Sequence, residues 1–193
     1  AGIYLKDEGI RKEGSFEIIN PGGFDDDPNR SPSEFSRGQV LVFGGSSTAK
    51  RWKTDKLSFR FNFEDKLDSV VFDDTAVGTY DRLVLDARLN NVWNQSQNPE
   101  QRQFGDYARD AVLSDLDNSL GRTGVHSQHV HLFLNGLYWG IYTLHERPDD
   151  HFAAAYFGGD NEDYDVVKHG SGADNFIVDG YRINPALPIS NTN

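Results

Sequence analysis

The 193-residue chain contains neither cysteine nor methionine. Without thiols there is no disulfide, no thiolate nucleophile and no cysteine-ligated zinc or iron–sulfur centre, and cysteine usage leaves the redox compartment open. A chain that starts at Ala1 and never uses methionine is expected to be a processed or excerpted piece of a longer product. Long apolar runs are missing too: none approaches the ~18–20 residues that a membrane helix needs, so no membrane span is expected, and no address segment is visible. Positive charge is scarce, with 19 Lys and Arg against 30 Asp and Glu and a formal charge of −11. A general binder of nucleic-acid backbones presents the opposite sign, so that class drops out. Hydrophobic residues at 37%, together with 19 glycines, still suffice for a globular core, and disorder of the whole chain is excluded.

What is present reads as short strands joined by turns, without internal repeats. Ser15 to Asn20 alternates like a strand and stops at Pro21-Gly22-Gly23, and Asp25 to Pro32 is an acidic loop. Gln39 to Phe43, Lys56 to Phe63 and Tyr80 to Ala87 read as further strands, the second with Leu57, Phe59, Phe61 and Phe63 at period two. From Pro99 the period changes. Phe104, Ala108, Val112, Leu116 and Leu120 recur every four residues, which predicts one long helix closed by Gly121. Asn135-Gly136 between two β-rich runs predicts a hairpin with a type I′ turn. Pro148, Asp149 and Asp150 open a short helix that Gly158 ends, and Tyr164 to Lys168 reads as one more strand. The expected fold class is α+β: a twisted antiparallel sheet with one main packed helix over residues 1–169, followed by a linker or tail over 170–193.

Several constellations carry chemistry. Gly44, Gly45 and Ser46 begin a Gly-Ser turn followed by Lys50, Arg51, Lys53, Lys56 and Arg60, a dense basic cluster in an acidic chain. Backbone N–H groups of such a turn can approach phosphate oxygens, and a lysine on the next strand can reach them. The same residues also describe a surface hairpin with a solvated basic loop. His129 and His131 lie two apart on a strand and share a face, but no ligand spacing is completed, and no metal site is expected. The acidic runs Asp25 to Asp27 and Asp160 to Asp165 lack the pattern of a calcium loop and read as solvated loops. No nucleophile elbow and no His-Glu-x-x-His occurs. Glu146 and Arg147 sit where a strand leaves the sheet, a place that serves ligand contacts and plain strand-end pairing equally well.

From His129 to Lys168 the sequence HVHLFLNGLYWGIYTLHERPDDHFAAAYFGGDNEDYDVVK resembles the CotH kinase family, the spore coat protein H group of secreted, atypical protein-kinase-like proteins. Gly2-Ile3-Tyr4, SFEIINP, VLVFGGSSTAK, Lys56 with Ser58-Phe59-Arg60, and Tyr107-Ala108-Arg109-Asp110 follow the order of its larger extracellular members. The resemblance implies a kinase-like N-lobe. In such a lobe Gly44, Gly45 and Ser46 lie over nucleotide phosphates, Lys56 pairs with them, and Glu146 and Arg147 fall at the adenine-side hinge. Asp106 or Asp110 on the long helix then orients the lysine.

The resemblance further implies ATP and Mg²⁺ as cofactors of the full-length protein and transfer of the γ-phosphate to Ser or Thr of a protein at the cell surface or in the matrix. It places the protein outside the cell. Catalytic residues are expected downstream of Asn193, so the piece by itself is expected to be inactive. A lobe without its partner exposes apolar surface, and self-association is compatible with that. The competing class is a non-catalytic extracellular structural or adhesive domain that keeps the fold. A calcium-stabilised binding module, resting on the acidic loops alone, ranks third.

Overall fold

A computed structural model describes residues 11–19, 33–44, 56–72, 75–88, 99–169, 176–178 and 181–183. By contacts the chain divides into two compact units, Ala1–Arg147 and Pro148–Asn193, where the sequence suggested a boundary at 169–170.

The first unit is built on a curled six-stranded antiparallel sheet. Its strands are β1 (Arg11–Ile19), β2 (Ser33–Phe43), β3 (Ser58–Asp68), β4 (Thr79–Asp86), β5 (Ser127–Leu134) and β6 (Leu137–Glu146), in the spatial order β1-β2-β3-β4-β6-β5. The first four pair in sequence, and the β5–β6 hairpin then joins through β6, with Leu85 opposite Leu144. Asn135 and Gly136 have φ of 51° and 79°, the left-handed pair that a type I′ turn requires.

Period-two alternation sorts the side chains. Leu57, Phe59 and Phe61 share one face with Leu83, Leu85, Tyr142 and Leu144, and all seven are buried. Phe16 packs against Phe61 and Phe63 at centroid distances of 5.2 and 5.4 Å, and Val71 and Phe72 from the β3–β4 connection fill the same core. Each fully buried side chain of this size stabilises the fold by roughly 1.5–3 kcal/mol. Gly38 permits the β2–β3 approach: a Cβ there would stand 2.0 Å from the Asn62 carbonyl oxygen.

The predicted long helix is a correction. It is two helices, α1 (Pro99–Gln103) and α2 (Arg109–Ser119), separated by a turn. Tyr107 takes φ of 61°, and Asp106 Oδ1 accepts hydrogen bonds from the N–H groups of Ala108 and Arg109, which starts α2 afresh. Nor does the four-residue stripe form the packed face: Phe104, Val112, Leu116 and Leu120 are all more than half exposed, and α2 buries no residue. The apolar period is real, but among the described residues no core closes over it.

In the second unit Asp149 caps α3 (Asp150–Phe157), its Oδ1 accepting from the Phe152 N–H, and Gly158 at φ of 83° ends the helix. A single 3₁₀ turn (Asn161–Asp163) follows. The predicted strand from Tyr164 starts later, at β7 (Val167–His169). It pairs with β8 (Phe176–Val178), which pairs with β9 (Tyr181–Ile183), so short strands occupy part of the stretch expected as a linker. No helix among the described residues is long and apolar enough to cross a membrane.

Candidate functional site

Lys56 stands just ahead of β3, on the turn side of the strand. Its ammonium donates to the Ile141 carbonyl oxygen at 2.7 Å and to the Tyr107 hydroxyl at 3.5 Å. It also lies 4.9 Å from the ring centroid of Tyr142 and 5.1 Å from that of Tyr107. A cation over two aromatic faces gains electrostatic attraction, while partial burial removes water from it. Burial therefore holds the Lys56 pKa below the ordinary lysine value, and the negative charge of Asp86 opposes that shift.

Asp86 closes β4, next to Thr143 of β6 in the antiparallel register. Ser58 donates to its Oδ1 at 3.0 Å and in turn accepts from the Ala87 N–H at 2.9 Å. The Arg88 N–H donates to the same carboxylate oxygen at 2.7 Å. Arg88 adopts φ of 54°. Its Nε donates to Thr143 Oγ1 at 3.1 Å, and its guanidinium makes an ion pair with Asp110 of α2 and lies 3.7 Å from Asp86 Oδ2. His145, one strand residue beyond Leu144, brings Nε2 to 4.0 Å from Asp86 Oδ2. Burial pushes its pKa down, with Arg88 adding to the shift and the Glu146 carbonyl, Asp86 and Asp110 opposing it. Burial likewise raises the Tyr107 hydroxyl. The outcome is one polar knot at the ends of β3, β4 and β6, spanning Lys56, Ser58, Asp86, Arg88, Thr143 and His145 and tied to α2 through Asp110.

The residues nominated from sequence fall in different places. Lys56 is in this knot. Gly44 is described, with φ of 82°, at the end of β2, whereas Gly45, Ser46, Lys50, Arg51 and Lys53 lie outside the described residues. Of the two acids considered as lysine partners, Asp110 is paired with Arg88 and Asp106 with Arg109. The Asp106 pKa lies below its ordinary value: desolvation pushes it up, and hydrogen bonds from Arg109 and Ala108 with the Arg109 charge outweigh that. Glu146 is 3% exposed, and its Oε2 accepts from both the backbone N–H and Nδ1 of His126 at 2.9 Å, while Thr75 Oγ1 lies 2.7 Å from His126 Nε2. Its carboxylate thus faces the protein. Arg147 stacks on Phe43 at 5.7 Å, as does Arg60 at 5.9 Å.

Sequence reasoning missed Asp86, Arg88 and Tyr107. A signal existed for Asp86: an acid ending the apolar run LVLD, at the position where the strand leaves the sheet. None existed for Arg88, whose role depends on positive backbone φ, and Tyr107 stood only within the family motif, without a role. His129 and His131 do share the predicted face. Among the described residues, however, no three His, Asp or Glu side chains converge to hold a metal ion.

A family model described as CotH kinase protein matches residues 40–183, which is most of the chain, and the protein belongs to that family. No curated protein matches it.

Proposed function

We propose that this member of the CotH kinase family is the sheet-bearing, N-lobe-like part of a secreted protein kinase, and that Lys56 is its phosphate-holding cation. The kinase itself transfers the γ-phosphate of ATP to Ser or Thr of a surface or matrix protein. The single observation that carries this reading is the setting of Lys56: an ammonium fixed at the mouth of the sheet, half withdrawn from water and kept near an acid. In that place it has a defined direction, which positioning an anionic phosphate requires. ATP, when bound, supplies the transferable phosphoryl group. The protein side of the work is to orient it: Lys56 on the phosphate oxygens, with Gly44 at the end of β2 starting the turn that would lie over them. Asp86 takes the acidic place beside the lysine that sequence reasoning gave to Asp106 or Asp110, and Arg88 anchors Asp86.

The test is thermal unfolding of the chain with ATP and Mg²⁺. At one hundred times Kd the nucleotide adds ~2.7 kcal/mol to apparent stability. For a chain of this length that is a rise of about 5–10 °C in Tm. Lys56→Ala should abolish most of the rise. One observation favours the second reading, a non-catalytic structural domain: Lys56, Asp106 and Asp110 all have protein partners already. In that case ATP leaves Tm unmoved in both proteins, and Lys56→Ala lowers Tm with or without nucleotide. That result overturns the kinase reading.

A further inference from the structure

A second polar cluster lies outside the Lys56 knot. His126 and Glu146 are 4% and 3% exposed, the imidazole Nδ1 lies 2.9 Å from Glu146 Oε2, and Nε2 lies 2.7 Å from Thr75 Oγ1. Thr75 itself is exposed, so a reactant can reach it. The pair beneath it is fixed by backbone bonds as well: the His126 N–H donates to the same Oε2 at 2.9 Å, and the Glu146 N–H donates to the His126 carbonyl oxygen at 3.1 Å. Phe72 packs beside the imidazole at a centroid distance of 6.3 Å. The loop carrying Thr75 is closed by the Ser69 N–H on the Gly78 carbonyl oxygen at 2.9 Å.

The order of these contacts sets the proton positions. A carboxylate only accepts, so Nδ1 carries the proton of the neutral imidazole and Nε2 offers a lone pair. Thr75 is then the donor, its proton aimed at a base that a buried acid holds in one tautomer. Hydroxyl, imidazole and carboxylate in that sequence activate an alcohol as a nucleophile. Charge selects the electrophile. Asp73 and Asp74 immediately precede Thr75, and the chain carries −11. That field repels an anionic phosphoryl donor and spares an uncharged carbonyl.

We propose that Thr75, His126 and Glu146 form an acyl-transfer site, at which Thr75 takes the acyl group of an activated, uncharged carboxylic ester. Oγ1 bonds to the carbonyl carbon as the ester C–O bond breaks, and the hydroxyl proton passes to His126 Nε2 and on to the departing oxygen. Glu146 is the positioning residue, since it acts only through the imidazole. The site is independent of Lys56 and of any nucleotide.

The probe is p-nitrophenyl acetate, applied to the full chain and followed by peptide mass spectrometry. The tryptic peptide Leu67–Arg82 contains no lysine and carries Thr79, which is also exposed and serves as an internal control. A positioned general base is worth about a hundredfold or more, so Thr75 should acetylate at least tenfold faster than Thr79. In fully unfolding urea the two should react alike. Glu146→Gln, compared at equal fraction folded, should slow Thr75 about tenfold or more and leave Thr79 unchanged, whereas Lys56→Ala should alter neither. Equal rates at Thr75 and Thr79 in the folded, unmodified chain overturn the proposal, and that comparison decides even if the Glu146 variant fails to fold. An advantage of Thr75 that persists in urea, or that Glu146→Gln leaves intact, overturns it too, because the reactivity then belongs to the local sequence and not to the imidazole.

Discussion

Arg88 and Asp110 join the end of β4 to helix α2, the guanidinium only 10% exposed and the carboxylate about half exposed. Because α2 buries none of its own apolar residues, this ion pair and the bond from the Gly124 N–H to Asn118 Oδ1 at 2.6 Å help to hold the helix in place, beside its contacts with β5. The pair is also unequal, since Arg88 serves Thr143 and Asp86 as well.

Asp110→Asn should therefore cost only about 0.5–1 kcal/mol, in keeping with an exposed partner. Arg88→Ala should cost about 2–3 kcal/mol, because it takes the Nε donor from the fully buried Thr143 hydroxyl and removes the cation beside Asp86 and Asp110. Urea unfolding measures both, and amide exchange in Arg109–Ser119 should accelerate in both variants. Equal costs would show that Arg88 matters only through Asp110.

Asp86→Asn keeps an acceptor oxygen for Ser58 and the Arg88 N–H while removing the charge. Burial then acts on Lys56 without opposition, and its titration should move to still lower pH. The rate of acylation at Lys56, followed by mass spectrometry across the alkaline range, reads this directly. An unchanged midpoint would show that the Asp86 charge does not reach the ammonium.

His145 predicts a pH dependence with a definite sign. Its folded-state pKa lies below the unfolded value of ~6.5, so below that pH the unfolded chain binds a proton that the folded one refuses. The stability associated with neutral His145 is present above pH ~6.5 and is lost as pH falls through the window between the unfolded and folded values. His145→Gln should flatten the unfolding free energy over that window. A slope unchanged by the substitution would assign the acid sensitivity to other groups.

Glu146→Ala removes the acceptor of two buried donors on His126 and should cost about 2–4 kcal/mol. Its effect on nucleotide response, compared at equal fraction folded, should be small beside that of Lys56→Ala. A selective loss of nucleotide response would return Glu146 to a ligand-facing role.

Much of the sheet was legible because its information is local. The alternation of Leu57, Phe59, Phe61 and Phe63 names a strand and its buried face whatever lies beside it, and Asn135-Gly136 specifies a turn through the backbone freedom of two residues. Helix α2 shows the limit of periodicity. The stripe from Phe104 to Leu120 is present in the sequence, but a break costs little when Gly105 and Asp106 supply a turn and a new cap. Whether an apolar stripe is buried depends on a second surface that the stripe does not encode.

The candidate site divides the same way. Lys56 was accessible because a charged residue before an alternating apolar strand stands out on one line of text. Its surroundings were not, since Asp86, Arg88, Tyr107 and Ile141 are brought to it from three separate stretches of chain. Composition and spacing alone thus determined an acidic, thiol-free, antiparallel sheet protein with a hairpin and one marked lysine. Tertiary structure decided which acid lies beside that lysine and that Glu146 turns inward to His126. Those outcomes depend on register and on backbone φ at a few positions, and through-space electrostatics acts between residues that sequence distance does not relate.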